Sequence, residues 1–233
     1  MPETKKDSLR SLKKQTLAIL ESSGDYNDLL VLSGGSLLRV INALCSFLYH
    51  KNPVIKWNAV TALGSAVSSL AETDIESARN IIRRLMWNLN DESGGIGWGS
   101  VEAMGDILAK NPDLAMEYWP ILFSYAREDG NFQENKLMQR GVLWAIGRFC
   151  QARSEMPGDT AIRDIMPFLD STDAHARGLA AWVMGYLKAK ESRPRLEQLK
   201  ADESVIRIFY EDRFIDKQVK DLAQEALIRI EQD

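Results

Sequence analysis

Gly141-Val142-Leu143-Trp144-Ala145-Ile146-Gly147 reads as two turns of an α-helix, with small residues at 141, 145 and 147 and apolar residues between them. The same outline returns as Asn58-Ala59-Val60-Thr61-Ala62-Leu63-Gly64, Gly99-Ser100-Val101-Glu102-Ala103-Met104-Gly105 and Leu179-Ala180-Ala181-Trp182-Val183-Met184-Gly185. A fifth copy ends in Ala223-Gln224-Glu225-Ala226-Leu227-Ile228. The reference positions 64, 105, 147, 185 and 228 are 41, 42, 38 and 43 residues apart. That rhythm leaves room for one further helix and two turns per unit, so the segment is the second helix of a repeated helical pair.

Working outward, an amphipathic segment precedes each second helix: Ser36 to Tyr49, Ile75 to Leu89, Leu114 to Ala126, Thr160 to Leu169 and Pro194 to Ala201, with apolar residues at three- and four-residue spacings. Two of them hold matched prolines, Pro120 and Pro167, expected to bend the helix by removing an amide and crowding the preceding turn. Ser8 to Ser22 and Tyr26 to Ser33 read as a helical hairpin capping the stack, with Gly34-Gly35 as its stop. Near the other end, Val205-Ile206-Arg207-Ile208-Phe209-Tyr210 and Arg213-Phe214-Ile215-Asp216-Lys217 flank Glu211-Asp212, which predicts an inserted β-hairpin before a last helix from about Gln218 to Glu231. The expected fold is all-α: a right-handed α-α superhelix of about five helix pairs with an N-terminal helical cap and a small C-terminal β-hairpin. The cap is 1–35 and the repeat region 36–233, with units near 36–72, 73–111, 112–153, 157–190 and 193–232 in one continuous structural domain.

Composition agrees. Of 233 residues, 45% are hydrophobic and 27% charged, enough apolar material for a sizeable core and too much for a disordered chain. The 29 basic and 33 acidic side chains give a formal charge of −4, so no general cationic field is available to hold nucleic acid or an anionic membrane. No apolar run approaches the roughly 18 residues of a membrane span, and the start, Met1-Pro2-Glu3-Thr4-Lys5-Lys6-Asp7, resembles no leader, so a cytoplasmic location is expected. Cys45 and Cys150 lie in apolar helical stretches and are expected as buried free thiols.

With its period of about forty, the chain resembles HEAT-repeat proteins over roughly residues 36 to 232, in particular bacterial repeats related to those of phycobilisome lyases. More narrowly, residues 83–99 (Arg83-Arg84-Leu85-Met86-Trp87 through Gly97-Trp98-Gly99) and 139–148 (Gln139-Arg140-Gly141 through Gly147-Arg148) look like signature stretches of an uncharacterised bacterial HEAT family seen in sulfate-reducing anaerobes. The resemblance implies the fold and assigns no activity.

Counting at 100° per residue from each reference glycine, positions −4, −1 and +3 form a core stripe: Val60, Leu63 and Val67; Val101, Met104 and Leu108; Leu143, Ile146 and Cys150. Positions −7, −3 and +1 are left facing away from it. They hold Trp57, Thr61 and Ser65; Trp98, Glu102 and Asp106; Arg140, Trp144 and Arg148; Gly178, Trp182 and Tyr186. If second helices line a concave side, these form an aromatic and charged strip; the alternative for each tryptophan is packing between units. Two turns are longer than packing needs. One, residues 90–99, includes Asp91, Glu92, Gly94 and Gly95 and offers backbone amides for an anion, against which the two acids argue. Its other reading is a tight turn in which Asp91, Glu92 or Ser93 caps the next helix. The other, residues 128–136, includes Asn131.

Gly95-x-Gly97-x-Gly99 follows a helix rather than a strand and is no dinucleotide fingerprint. His50 and His175 fall about three units apart, so neither a His-based metal site nor a Ser/His triad follows. Acid pairs in the turns, such as Asp91-Glu92, Glu128-Asp129 and Glu211-Asp212, read either as a solvated edge or as points that gather a basic partner. The function these residues favour is a non-catalytic scaffold that binds a protein partner through its concave face and the turns 90–99 and 128–136, with no cofactor and no metal. The alternative rests on similarity to DNA alkylation repeat glycosylases, whose active site pairs tryptophans with an aspartate and an arginine. Trp98, Glu102, Arg140 and Trp182 fall in loosely comparable places, with glutamate replacing aspartate, so Glu102 and Arg140 are the catalytic candidates of that reading and nucleic acid its partner. A bilin-handling role finds no reactive cysteine to support it.

Overall fold

Asparagine and aspartate set the helix starts. Asn52 opens α4 (Pro53–Thr73) by accepting from the Val54 N–H, and Pro53 costs nothing at a position whose amide has no partner inside the helix. Asp74 caps α5 (Ile75–Leu89) through the Ser77 N–H, Asn111 caps α7 (Pro112–Ser124) through the Leu114 N–H, and Asn135 caps α8 (Lys136–Arg153) through the Leu137 N–H. Asp173 does the same for α10 (Ala174–Tyr186) through the His175 N–H. Each such cap is worth about 1 kcal/mol.

The computed structural model describes residues 9–22, 27–32, 36–90 and 97–232. The other helices are α1 (Leu9–Ser22), α2 (Asn27–Leu32), α3 (Leu37–Cys45), α6 (Ser100–Lys110), α9 (Asp159–Ile165), α11 (Arg193–Leu199) and α12 (Val219–Glu231). The helix expected over Thr160 to Leu169 begins as α9 and tightens at Met166–Asp170 into a 3-10 turn that contains Pro167. Pro120 lies inside α7, which continues past it to Ser124. The Gly34-Gly35 stop lies outside the described residues.

The chain gathers into two compact units, Met1–Ala103 and Met104–Asp233, the division falling within α6. In the first, α1 packs on α3 and α4 through buried Leu12, Thr16 and Leu20, one face at four-residue spacing. The Asn58 side chain on α4 donates to the Leu20 carbonyl at 2.9 Å and satisfies the end of that helix. Helix α5 buries Ala78, Ile81, Ile82, Leu85 and Leu89, and each large apolar side chain so buried contributes about 1.5–3 kcal/mol.

In the second unit the reference glycines mark where second helices meet. A Cβ at Gly105 would stand 2.6 Å from the Ala145 backbone, and one at Gly185 would stand 2.8 Å from Ala226 Cα, so glycine meets the small residue two places before the next reference position. Gly147 is filled differently, by the Trp182 ring, which a Cβ would meet at 2.1 Å. The core stripe is buried throughout, including Val60, Leu63, Val67, Val101, Met104, Leu108, Leu143, Ile146 and Cys150. Strands β1 (Val205–Tyr210) and β2 (Arg213–Gln218) pair antiparallel with Tyr210 opposite Arg213, leaving Glu211 and Asp212 as a two-residue turn in which both adopt positive φ (48° and 58°). That is the geometry of the hairpin turns whose twist matches paired strands.

Candidate functional site

The expected binding residues of the first unit start from a turn that demands glycine. Gly99 adopts φ +80° and lies so close to the Leu48 carbonyl that a Cβ would come within 2.4 Å of its oxygen. The turn delivers Trp98 to the surface, 44% exposed, while its neighbours Gly99 and Ser100 are buried. Tyr49, beside Leu48, is also exposed. Trp57 on α4 is half-buried, and the Lys56 ammonium sits 5.3 Å from its ring centroid, a cation–π contact. The same ammonium lies 2.7 Å from Glu102 Oε1, so Glu102 is buried and already paired. Asp91, Glu92, Gly94 and Gly95 lie outside the described residues.

In the second unit the expectation of an outward strip is corrected. Trp144 is only 5% exposed and Trp182 only 3%. The reason is the hairpin: Trp144 Nε1 donates to the Phe209 carbonyl of β1 at 2.7 Å, and Trp182 meets Tyr210 edge-on with ring centroids 6.2 Å apart while its other contacts fill Gly147 and reach Tyr186. Burial extends to Thr61, Glu102, Asp106 and Gly178 among the positions expected to face away from the core. The expected cations are engaged too. Arg140 forms a two-pronged pair with Asp173, Nε to Oδ2 at 2.6 Å and Nη2 to Oδ1 at 3.0 Å. Arg148 donates to buried Asp106 at 2.9 Å, and Lys110 approaches the same carboxylate at 2.7 Å.

Burial pushes the Asp173 carboxyl up, but the bonds from Arg140 and from the His175 N–H outweigh it and hold the group below its ordinary value. His175 is held below the usual imidazole value by burial and then by the Arg140 charge, with Asp173 opposing. Asn131 is exposed, and its amide donates to Ser124 Oγ at 2.8 Å while its backbone N–H bonds the Ser124 carbonyl, tying the turn 128–136 to the end of α7. Cys150 is buried, and that burial pushes its thiol up. Cys45 is half-buried rather than buried: its Sγ accepts from Arg84 at 2.6 Å, and its thiol is raised by burial against the opposing Arg84 charge.

Trp87 was not among the sequence candidates, yet at 76% exposed it is the most open of the described indoles. Its signal is the stripe of α5: the apolar positions 78, 81, 82, 85 and 89 share one face, and 87 falls off it. Among the described residues no group of three or more His, Cys, Asp or Glu side chains is arranged to hold a metal ion, and no helix is long and apolar enough to cross a membrane.

With this geometry in place, comparison with known proteins defines the architecture as a helical repeat of armadillo-like type. An engineered protein of known structure matches with a TM-score of 0.58 at 15% identity, covering 98% of this chain and 93% of that one. A designed armadillo repeat protein matches at 0.54 and 17% identity, covering 99% and 95%. Another, solved in complex with the peptide (KR)4, matches at 0.58 and 16% identity, covering 98% and 95%. At these identities the likeness is one of fold. No family model matches the sequence. An uncharacterised protein of Archaeoglobus fulgidus is 37% identical over 71 residues, and the aligned stretch is 30% of this chain and 36% of that relative.

Proposed function

We propose that the chain is a non-catalytic repeat scaffold that binds a protein partner, through the second helices and the turn 90–99 in the first unit and through the turn 128–136 in the second, each taken as a contact by itself. The observation that carries this reading is Trp98: a flat indole left 44% exposed on a backbone position that only glycine at 99 permits. Tryptophan so placed is the residue type most enriched at binding hot spots. Trp57, with the Lys56 ammonium against its ring, offers a second contact in the same unit. The (KR)4 complex of a similarly folded designed protein supports a peptide as the kind of occupant such a fold accepts. Arg140, Trp144, Arg148 and Trp182 support the scaffold through their internal bonds and packing.

The test is selection of a displayed peptide library against the full chain, followed by affinity measurement on variants. Selected peptides should bind Trp98→Ala about thirtyfold more weakly or worse, with melting temperature and helicity unchanged. Peptides that bind this variant as tightly as the parent would reject Trp98 as the contact.

A further inference from the structure

The second unit carries a pair of clefts, one of which takes part of its lining from the turn 128–136. Beside the turn that follows α7, Phe132, Gln139, Pro167 and Phe168 help enclose a cleft of about 470 Å³. Ile162 and Met166 line a second cleft of about 470 Å³. Arg163 and Pro167 belong to the walls of both, so the two are neighbours. The turn that brings Phe132 to the first cleft is held by local backbone chemistry: Gly130 packs so close that a Cβ would meet the Ser124 carbonyl at 2.7 Å, and the Asn131 N–H bonds the same carbonyl at 2.9 Å.

Both linings combine apolar side chains with carboxylates. Glu128, Asp129 and Asp164 line the first cleft and Asp159 and Glu191 the second, five carboxylates facing two guanidiniums. One of those guanidiniums, Arg127, is taken by Asp129 at 3.0 Å. The Asp164 carboxyl is pushed up by burial and by the Asp129 charge, against the pull of Arg127 and Arg163. An acidic occupant meets repulsion here, and a wholly apolar one strips water from Asp164 without replacing it. A lysine or arginine side chain satisfies both parts, since its methylene stem lies on apolar surface while its charged head stays with the carboxylates. Two adjacent clefts suit alternate side chains of an extended strand, which stand roughly 6.5–7 Å apart.

We propose that the paired cleft flanking Pro167 docks an extended basic segment of a protein partner, one cationic side chain on Phe132 and Phe168 with its head toward Asp164, the next on Ile162 and Met166 with its head toward Asp159 and Glu191. The first cleft takes Glu128, Asp129 and Phe132 from the turn 128–136, so this inference rests on the scaffold reading above and deepens it, while its test removes carboxylates that the Trp98 contact does not need.

The probe is a fluorescein-labelled peptide of alternating lysine and alanine, titrated against the full chain at low salt, beside a glutamate–alanine counterpart. The lysine peptide binds and the glutamate peptide does not. Asp159→Asn/Asp164→Asn weakens binding about tenfold with melting unchanged, while Glu155→Gln/Asp221→Asn, which removes the same charge away from the clefts, leaves it as in the parent. A benzophenone on the peptide crosslinks to residues of 126–139, 159–171 or 190–192. Equal weakening by both double variants means diffuse charge attraction and overturns the proposal, as do crosslinks outside those segments. Loss of lysine-peptide binding in Trp98→Ala with none in Asp159→Asn/Asp164→Asn also overturns it, and leaves the Trp98 reading standing.

Discussion

Trp144 has one polar atom, and the hairpin supplies its partner. The indole N–H donates to the Phe209 carbonyl inside a packed interface, so the side chain fixes where β1 sits on α8. Trp144→Phe keeps most of the packing but leaves that carbonyl buried without its donor, and we expect a loss of about 1–3 kcal/mol in denaturant unfolding. Trp144→Ala adds a cavity and should cost about 3–5 kcal/mol. A Phe variant as stable as the parent would mean the bond contributes nothing. The neighbouring Asp173 and His175 make a pH prediction whose sign follows from their shifts. Both are held below their ordinary values, so the unfolded chain binds more protons and each contribution is lost as pH falls. For His175 the loss begins below about pH 6.5 and runs down to its folded value; for Asp173 it begins below about pH 4. His175→Gln should flatten the upper part of the acid limb of a stability–pH curve, and Asp173→Asn the lower part while also lowering stability at neutral pH. A limb unchanged by either substitution would contradict these assignments.

Among the elements, the glycines of the second helices separate packing from loop shape. Gly105→Ala drives a methyl into the Ala145 backbone at 2.6 Å and Gly147→Ala drives one into the Trp182 ring, so each should destabilise by about 1–3 kcal/mol. Gly158, where a Cβ would meet nothing within 4 Å and the backbone is extended, caps α9, so alanine there sets a gain of about 0.4–1 kcal/mol from a less flexible unfolded chain against a capping loss of similar size and should change stability by less than about 1 kcal/mol. At the hairpin, Glu211 and Asp212 hold positive φ without being glycine or asparagine, so Glu211→Asn/Asp212→Gly should raise stability by about 1–2 kcal/mol in thermal or denaturant unfolding. The same elements show how far the residue order could be read. Helix α5 begins and ends where its apolar stripe does, and the hairpin falls where two β-rich runs flank Glu211-Asp212, because periodicity and turn chemistry are local. The burial of Trp144 and Trp182 is not local. It is imposed by strands 60 and more residues along the chain in the case of Trp144, whose bond to Phe209 spans 65 positions, and nothing in the second-helix pattern announces that cover. Trp87 fails in the opposite sense: its place off the α5 stripe was readable, but an exposed tryptophan stands against the usual preference for burial.

At the scale of the whole molecule, charge yields a prediction that separates a protein from a nucleic acid as partner. The chain carries −4 overall, and many of its cations are already matched: Arg140 with Asp173, Arg148 with Asp106, Arg177 with Asp202, Arg193 with Glu231 and Arg207 with Asp216. Duplex DNA is held mainly by cations that displace counterions from phosphates, and each such contact steepens the fall of affinity with salt by about 0.9 in a log–log plot. Cations matched by carboxylates contribute little to that displacement. Of the residues that the glycosylase-like reading names, Trp98 keeps an open face, but Trp182 is packed against Gly147, Tyr186 and Tyr210, Glu102 is paired with Lys56 and Arg140 with Asp173. We therefore expect no retardation of a duplex bearing alkylated purines at moderate salt, and no release of the damaged base, while basic peptides bind under the same conditions. A retarded complex whose affinity falls with salt at a slope of several, abolished by Arg140→Ala but not by Asp159→Asn/Asp164→Asn, would place phosphate contacts where the ion pairs now stand and would transfer the functional reading to nucleic acid.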